Sequence, residues 1–213
     1  MKLFYSPGTA SLAPQIVLRE IERGFDVERV DLKTHRTASG RDFMLVNAKG
    51  DVPALQLDEN PSSPLLTETQ VILMYLADLD PERRLAPPPG VIGRYHIMEL
   101  LSFIATEIHK PMCELQNPDL PSRYAGILRG AIGERLLYLQ DILFDRAYLM
   151  GETFSIADAY LFTMLQWCSR VGIDIQLFPN LDDYEYRCSQ RQTVHDALLA
   201  EGLISRHAFR ESA

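Results

Sequence analysis

The sequence predicts a small mixed α/β domain joined to an all-helical one. Three observations carry that reading. The first eighty residues alternate short apolar runs with helical patterns. A proline-rich stretch, Asp80-Pro81-Glu82-Arg83-Arg84-Leu85-Ala86-Pro87-Pro88-Pro89-Gly90, then interrupts the chain; a triple proline cannot sit inside a helix and makes a semi-rigid connector. Beyond it apolar residues recur at helical spacing, and no convincing strand follows. The division assigns residues 1–80 to the first domain, 81–93 to a linker and 94–213 to the second domain.

Taken in order, Lys2–Tyr5 reads as a strand stopped by Ser6-Pro7-Gly8. Ser11 can cap a helix running to about Arg23, with Pro14 tolerated in its first turn. Phe25–Leu32 and Val52–Leu57 read as strands. Turn residues Asp58-Glu59-Asn60-Pro61-Ser62-Ser63 lead to a short strand at Leu65-Leu66, so a hairpin is the natural solution. Thr67-Glu68-Thr69-Gln70 matches a capping box, opening a helix that buries Val71, Ile72, Tyr75, Leu76 and Leu79. After the linker, helices are predicted over Arg94–Met112, Ser122–Arg146, Ser155–Arg170 and Pro179–Ser189, with a shorter one near Val194–Leu199. Ser155-Ile156-Ala157-Asp158 is a second capping pattern, and the apolar helix behind it belongs at the centre of the bundle.

Composition narrows the function. With 46% apolar and 23% charged residues in 213, the chain has ample core to fold. A net charge of −8 without a Lys/Arg cluster argues against nucleic acid or an anionic membrane surface as partner. No apolar run reaches the roughly 18 residues of a membrane span, and Ser6-Pro7-Gly8 comes too early for a signal peptide. Cys113, Cys168 and Cys188 lack metal-ligand spacing and read as reduced thiols of a cytoplasmic protein, with no metal. Nucleotide and zinc-protease motifs are absent.

Four segments carry a family resemblance: Met1-Lys2-Leu3-Phe4-Tyr5-Ser6-Pro7-Gly8, Gly50-Asp51-Val52-Pro53-Ala54-Leu55, Leu65-Leu66-Thr67-Glu68 and Ser155-Ile156-Ala157-Asp158-Ala159-Tyr160. Together, in order and across nearly the whole chain, they resemble the bacterial, beta-class-like glutathione S-transferases. The resemblance implies a thioredoxin-like first domain, an all-α second domain, a homodimer, and glutathione held between the domains.

Each candidate site has a plain reading beside the functional one. Pro53 could simply start an edge strand; the resemblance instead implies a cis-proline turn at Val52-Pro53 that offers the Val52 backbone to glutathione. Glu68 and Thr69 lie at a predicted helix start, where a cap suffices but a carboxylate is also attracted. The resemblance implies that Thr69 holds the γ-glutamyl carboxylate and Glu68 the ammonium group. Ser102, Thr106 and His109 fall on one polar stripe, opposite a core face of Ile97, Leu101, Ile104 and Ile108. That stripe could be only solvated; the resemblance sets it, with Lys110, across from the glutathione thiol. His35 stands where relatives commonly carry Lys for the glycyl carboxylate, and Ser102 where they commonly carry Asn.

The sharpest departure is Ala10, where beta-class relatives carry a cysteine. Residues Ser6 through Ser11 contain no thiol, which removes thiol–disulfide exchange through this loop. What remains is activation of the thiol of glutathione itself. Lowering its pKa by about two units requires roughly 2.7 kcal/mol of preferential thiolate stabilisation. Ser11 with the N–H groups of its helix start is the leading candidate, followed by His109 and Tyr5; Tyr5 could equally be a core aromatic. The expectation is therefore conjugation of glutathione to a small hydrophobic electrophile. The alternative is a glutathione-binding carrier or interaction protein with little catalysis.

Overall fold

The computed structural model describes residues 1–58, 64–80, 82 and 84–205. Its contacts separate two compact units, Met1–Pro81 with Arg191–Ala213, and Glu82–Gln190. The expected domain 94–213 thus differs from the structure at its C-terminal end, and most of the expected linker, 81–93, goes with the helical unit. Parts of that linker (Pro81, Arg83) and most of the hairpin turn (59–63) lie outside the described residues.

In the first unit, β1 (Lys2–Tyr5), β2 (Asp26–Asp31), β3 (Arg36–Thr37), β4 (Ala54–Gln56) and β5 (Leu65–Thr67) form one sheet of order β3-β2-β1-β4-β5. β1 and β2 run parallel, and the other three pairings are antiparallel. The parallel pair requires the crossover that α1 (Leu12–Glu20) supplies. One face of the sheet buries Phe4, Val30, Phe43 and Ala54. Two differences from expectation have local causes. β3 takes up Arg36 from what reads as a charged loop, because His35 turns the chain at φ 50° and lets it pair back on β2. The helix α1 stops at Glu20, short of Arg23, and Glu22 leaves it at φ 52°.

The helix α2 (Thr69–Asp78) departs further. Thr67 remains in β5, Glu68 occupies the cap position at φ 66°, and no side-chain cap bond forms. The capping box expected at Thr67–Gln70 is therefore corrected. With the start shifted, the buried face is Thr69, Ile72, Leu73, Leu76 and Ala77, at i, i+3, i+4, i+7 and i+8. Val71, expected in the core, is 45% exposed.

The C-terminal helix α8 (Gln192–Ala200) packs on α1, and two carboxylates fix the pair. Glu20 accepts two hydrogen bonds of 2.9 Å from Arg191 and another from Thr193. Glu201 accepts from Gln15 Nε2 and from the Gly8 N–H, each at 2.7 Å. Those partners lie 171 to 193 residues away in sequence, so no local pattern announces them.

The second unit contains α3 (Ile92–Phe103), a π turn (Ile104–His109), α4 (Lys110–Leu115), α5 (Ser122–Ile142), α6 (Ile156–Leu165) and α7 (Pro179–Ser189). The first three are one continuous path, longer than the predicted Arg94–Met112 helix by two residues at its start and three at its end. Pro111 explains the π turn: in α geometry its ring would collide with the carbonyl of Glu107 and leave it without a donor. Every residue of α6 is buried, as its composition predicts. Its capping box forms: Asp158 accepts from the Ser155 N–H at 2.8 Å and the Ser155 hydroxyl at 2.6 Å, and also from Leu149 N–H and Tyr184. Leu85 and Ala86 are buried, and the Leu85 carbonyl accepts from Ile156 N–H at 3.0 Å.

Candidate functional site

Strand direction gathers the first unit's candidates at one end of its sheet. Phe4 lies opposite Ala54, and Ala54 opposite Thr67, so Tyr5, Pro53 and Glu68 each follow or precede a paired residue at the same edge. Tyr5 also pairs with Arg29, and Asp31 with Arg36, which brings His35 to that end. It is the carboxyl end of the parallel strands, where open α/β sheets commonly bind ligands.

The individual geometries differ from what sequence alone suggests. The Val52-Pro53 bond is cis, so Pro53 is not a plain strand start, and sheet pairing begins at Ala54. Asn47 Nδ2 donates to the Asp51 carbonyl at 2.8 Å and holds the approach to that turn. Glu68 keeps a carboxylate that is 60% exposed, with Lys49 Nζ at 2.5 Å; the same ammonium donates to Thr67 Oγ1 at 3.0 Å. A glutamate at positive φ is costly and is held there by its surroundings. Thr69 begins α2 and is buried.

Ser11 requires a correction. It occupies the α1 cap position in helical geometry without a side-chain cap bond, and it is fully buried. Its hydroxyl lies 2.8 Å from Thr9 Oγ1 and 3.2 Å from the Ser6 carbonyl, so it braces the loop rather than facing out. Ala10 is also buried, and Tyr5 is half-buried at the end of β1. His35 packs over Gly50: a Cβ there would lie 2.9 Å from His35 Cε1, so only glycine fits beneath the ring. The His35 Nδ1 atom is enclosed with no hydrogen-bond partner among the described residues.

In the second unit, Ser102, Thr106 and Lys110 are exposed, and Thr106 Oγ1 donates to the Ser102 carbonyl at 3.1 Å. Ile97, Leu101, Ile104 and Ile108 form the buried face, as expected. His109 departs from the stripe. The π turn inserts a residue before it, and the ring turns toward α6, with Nδ1 2.8 Å from the Tyr160 hydroxyl. Trp167 packs edge-on against the ring at 5.2 Å. Burial, with a contribution from Glu185, pushes the thiol of Cys168, one residue on, up to about 12.

Sequence reasoning missed Lys49, Glu201 and Tyr160. Only Tyr160 left a signal, a hydroxyl inside a wholly apolar helix that requires a partner.

Two family profiles match the chain: "Glutathione S-transferase, N-terminal domain" over residues 1–78 and "Glutathione S-transferase, C-terminal domain" over 98–192. The chain is 43% identical over 203 residues to Glutathione S-transferase GstA of Escherichia coli O157:H7, covering 95% of this chain and 100% of that protein. This protein belongs to the glutathione S-transferase family. Among solved structures, a beta-class glutathione S-transferase from Sphingomonas chungbukensis is similar at TM-score 0.90 and 45% identity, covering 96% of this chain and 100% of that one. A sphingomonad glutathione S-transferase complexed with glutathione has the same TM-score and coverage at 42% identity. The beta-class-like resemblance and the thioredoxin-like plus helical fold both hold for this transferase. No helix among the described residues is long and apolar enough to cross a membrane.

Proposed function

We propose that this transferase adds the thiolate of glutathione to small hydrophobic electrophiles, with no thiol of its own in the Ser6–Ser11 loop. The observation that carries the reading is the start of α2. Glu68 is held at φ 66° with an exposed carboxylate, directly before a ten-residue helix lacking a side-chain cap. A γ-glutamyl group offers that place an ammonium for Glu68 and a carboxylate for Thr69 and the helix N-terminus. The Val52 backbone would take the cysteinyl part as an added strand. His35, with its enclosed Nδ1, would meet the glycyl carboxylate, and Lys49 orients Glu68 through their ion pair.

From the helical unit we assign His109 to the thiol, with Lys110, Ser102 and Thr106 as further polar contacts. Thiolate stabilisation falls to the positive end of the α1 dipole and to His109. Ser11 supports that loop from behind, and Tyr5 is a secondary candidate. Family membership favours conjugation over the carrier alternative. A homodimer in the cytoplasm fits the family.

Calorimetric titration with glutathione, alongside steady-state conjugation across a panel of electrophiles, tests the reading. Binding with turnover is the expected result. Binding without turnover against any electrophile would restore the carrier, and absence of binding would remove the site. Light scattering at micromolar protein should give twice the chain mass; a monomer mass refutes the dimer.

A further inference from the structure

The contact between His109 and Tyr160 has a consequence for what His109 can do. Tyr160 lies in α6, is 1% exposed, and places its hydroxyl 2.8 Å from His109 Nδ1. A neutral phenol is a good donor, and an unprotonated imidazole nitrogen is a good acceptor. The ring is also held in plane by edge-on contacts, at 82° to Tyr160 and 79° to Trp167. Its backbone is set by the π turn that ends on it. The ring's orientation is therefore fixed from the core side, and the Tyr160 hydroxyl stands where it can donate to Nδ1.

We infer that Tyr160 is a positioning residue that donates to Nδ1 and holds His109 as the Nε2–H tautomer, so that the ring meets glutathione as a hydrogen-bond donor rather than a base. A proton on Nε2 stabilises a thiolate and cannot accept the thiol's proton. The proton leaves to solvent or buffer as the thiolate forms. The catalytic half of this inference rests on His109 contacting glutathione as proposed above; the tautomer does not.

Two measurements decide it. Two-bond ¹H–¹⁵N correlation spectra of the ¹⁵N-labelled full chain at about pH 9 report the tautomer of each histidine. His109→Gln identifies the His109 signals by their loss. Nδ1 is expected with the shift of an unprotonated, hydrogen-bonded nitrogen and Nε2 with that of a protonated one. Tyr160→Phe should turn this into a tautomer mixture. A protonated Nδ1 in wild type overturns the inference without recourse to any variant, as does a Tyr160→Phe spectrum identical to wild type.

The second measurement uses side-chain amides. Glutamine can place an N–H where Nε2–H stands; asparagine reaches only the Nδ1 position. His109→Asn is expected to lower kcat/KM about tenfold or more, as for a lost hydrogen bond to a charged group, and His109→Gln about threefold. The reverse order overturns the donor role. Wild-type kinetics in both variants, with the expected tautomer in the spectrum, overturn the proposed contact with glutathione and leave the tautomer standing.

Discussion

The starts of α2 and α6 look alike in sequence and differ in structure. Both offer a hydroxyl residue followed three positions later by a side chain able to cap, Thr67 to Gln70 and Ser155 to Asp158. At α6 the box closes, and Asp158 is wholly buried with hydrogen bonds from Leu149, Ser155 and Tyr184. At α2 the strand β5 claims Thr67, the helix begins at Thr69, and an exposed glutamate stands at the cap. One helix end satisfies itself with its own side chains; the other carries no side-chain cap. A capping pattern is a local preference, and strand pairing one residue away is enough to override it.

Breaking the closed end should have the largest effect. Asp158→Ala strips the acceptor from two backbone N–H groups and the Tyr184 hydroxyl, so urea unfolding should show a loss of roughly 3–5 kcal/mol. A loss under 1 kcal/mol would mean that other groups cap α6. Breaking the open end should move binding instead. Glu68→Ala is expected to weaken glutathione by about 1.5–3 kcal/mol in calorimetry, while its thermal melt stays close to wild type. An unchanged Kd in the folded variant removes Glu68 from the site.

A smaller change tests the other end of the ligand. His35→Asn, chosen because asparagine tolerates positive φ, should cost about 0.5–1.5 kcal/mol of glutathione affinity with little change in melting. Equal affinity would return His35 to a packing role over Gly50.

The finest distinction is a slope of stability against pH. Burial pushes the Asp158 carboxyl above its ordinary value, and hydrogen bonds from Leu149, Ser155 and Tyr184 only partly oppose it. The unfolded chain then ionises first, so Asp158's contribution falls as pH rises from the ordinary carboxylate value toward the folded one. Glu28 has the opposite sign. Burial pushes it up, but hydrogen bonds from Ser39, Thr37 and Lys2 outweigh that and hold it below its ordinary value. Its contribution is present above the unfolded value and is lost as pH falls through the folded one. Chemical denaturation across the acid range should show Glu28→Gln flattening the acid loss and Asp158→Asn removing the opposing slope. Parallel changes in both variants would contradict the two environments.

By itself the sequence determined the strands β1, β2, β4 and β5, the all-helical second half, the core face of α3 and the burial of α6. Those follow from periodicity and composition, which act over a few residues. It also singled out Val52, Pro53, Glu68, Thr69 and His109 as candidates, although proposing roles for them required a family resemblance. Only tertiary structure decided that α8 returns to α1, because Glu20 and Glu201 meet partners some 170 to 190 residues away. Strand pairing, not the capping pattern, determined where α2 begins. Packing closed Ser11 into its loop, and the π turn before Pro111 swung His109 onto Tyr160. Such contacts join side chains distant in sequence, and a local pattern holds no information about which distant group will satisfy a buried donor or carboxylate.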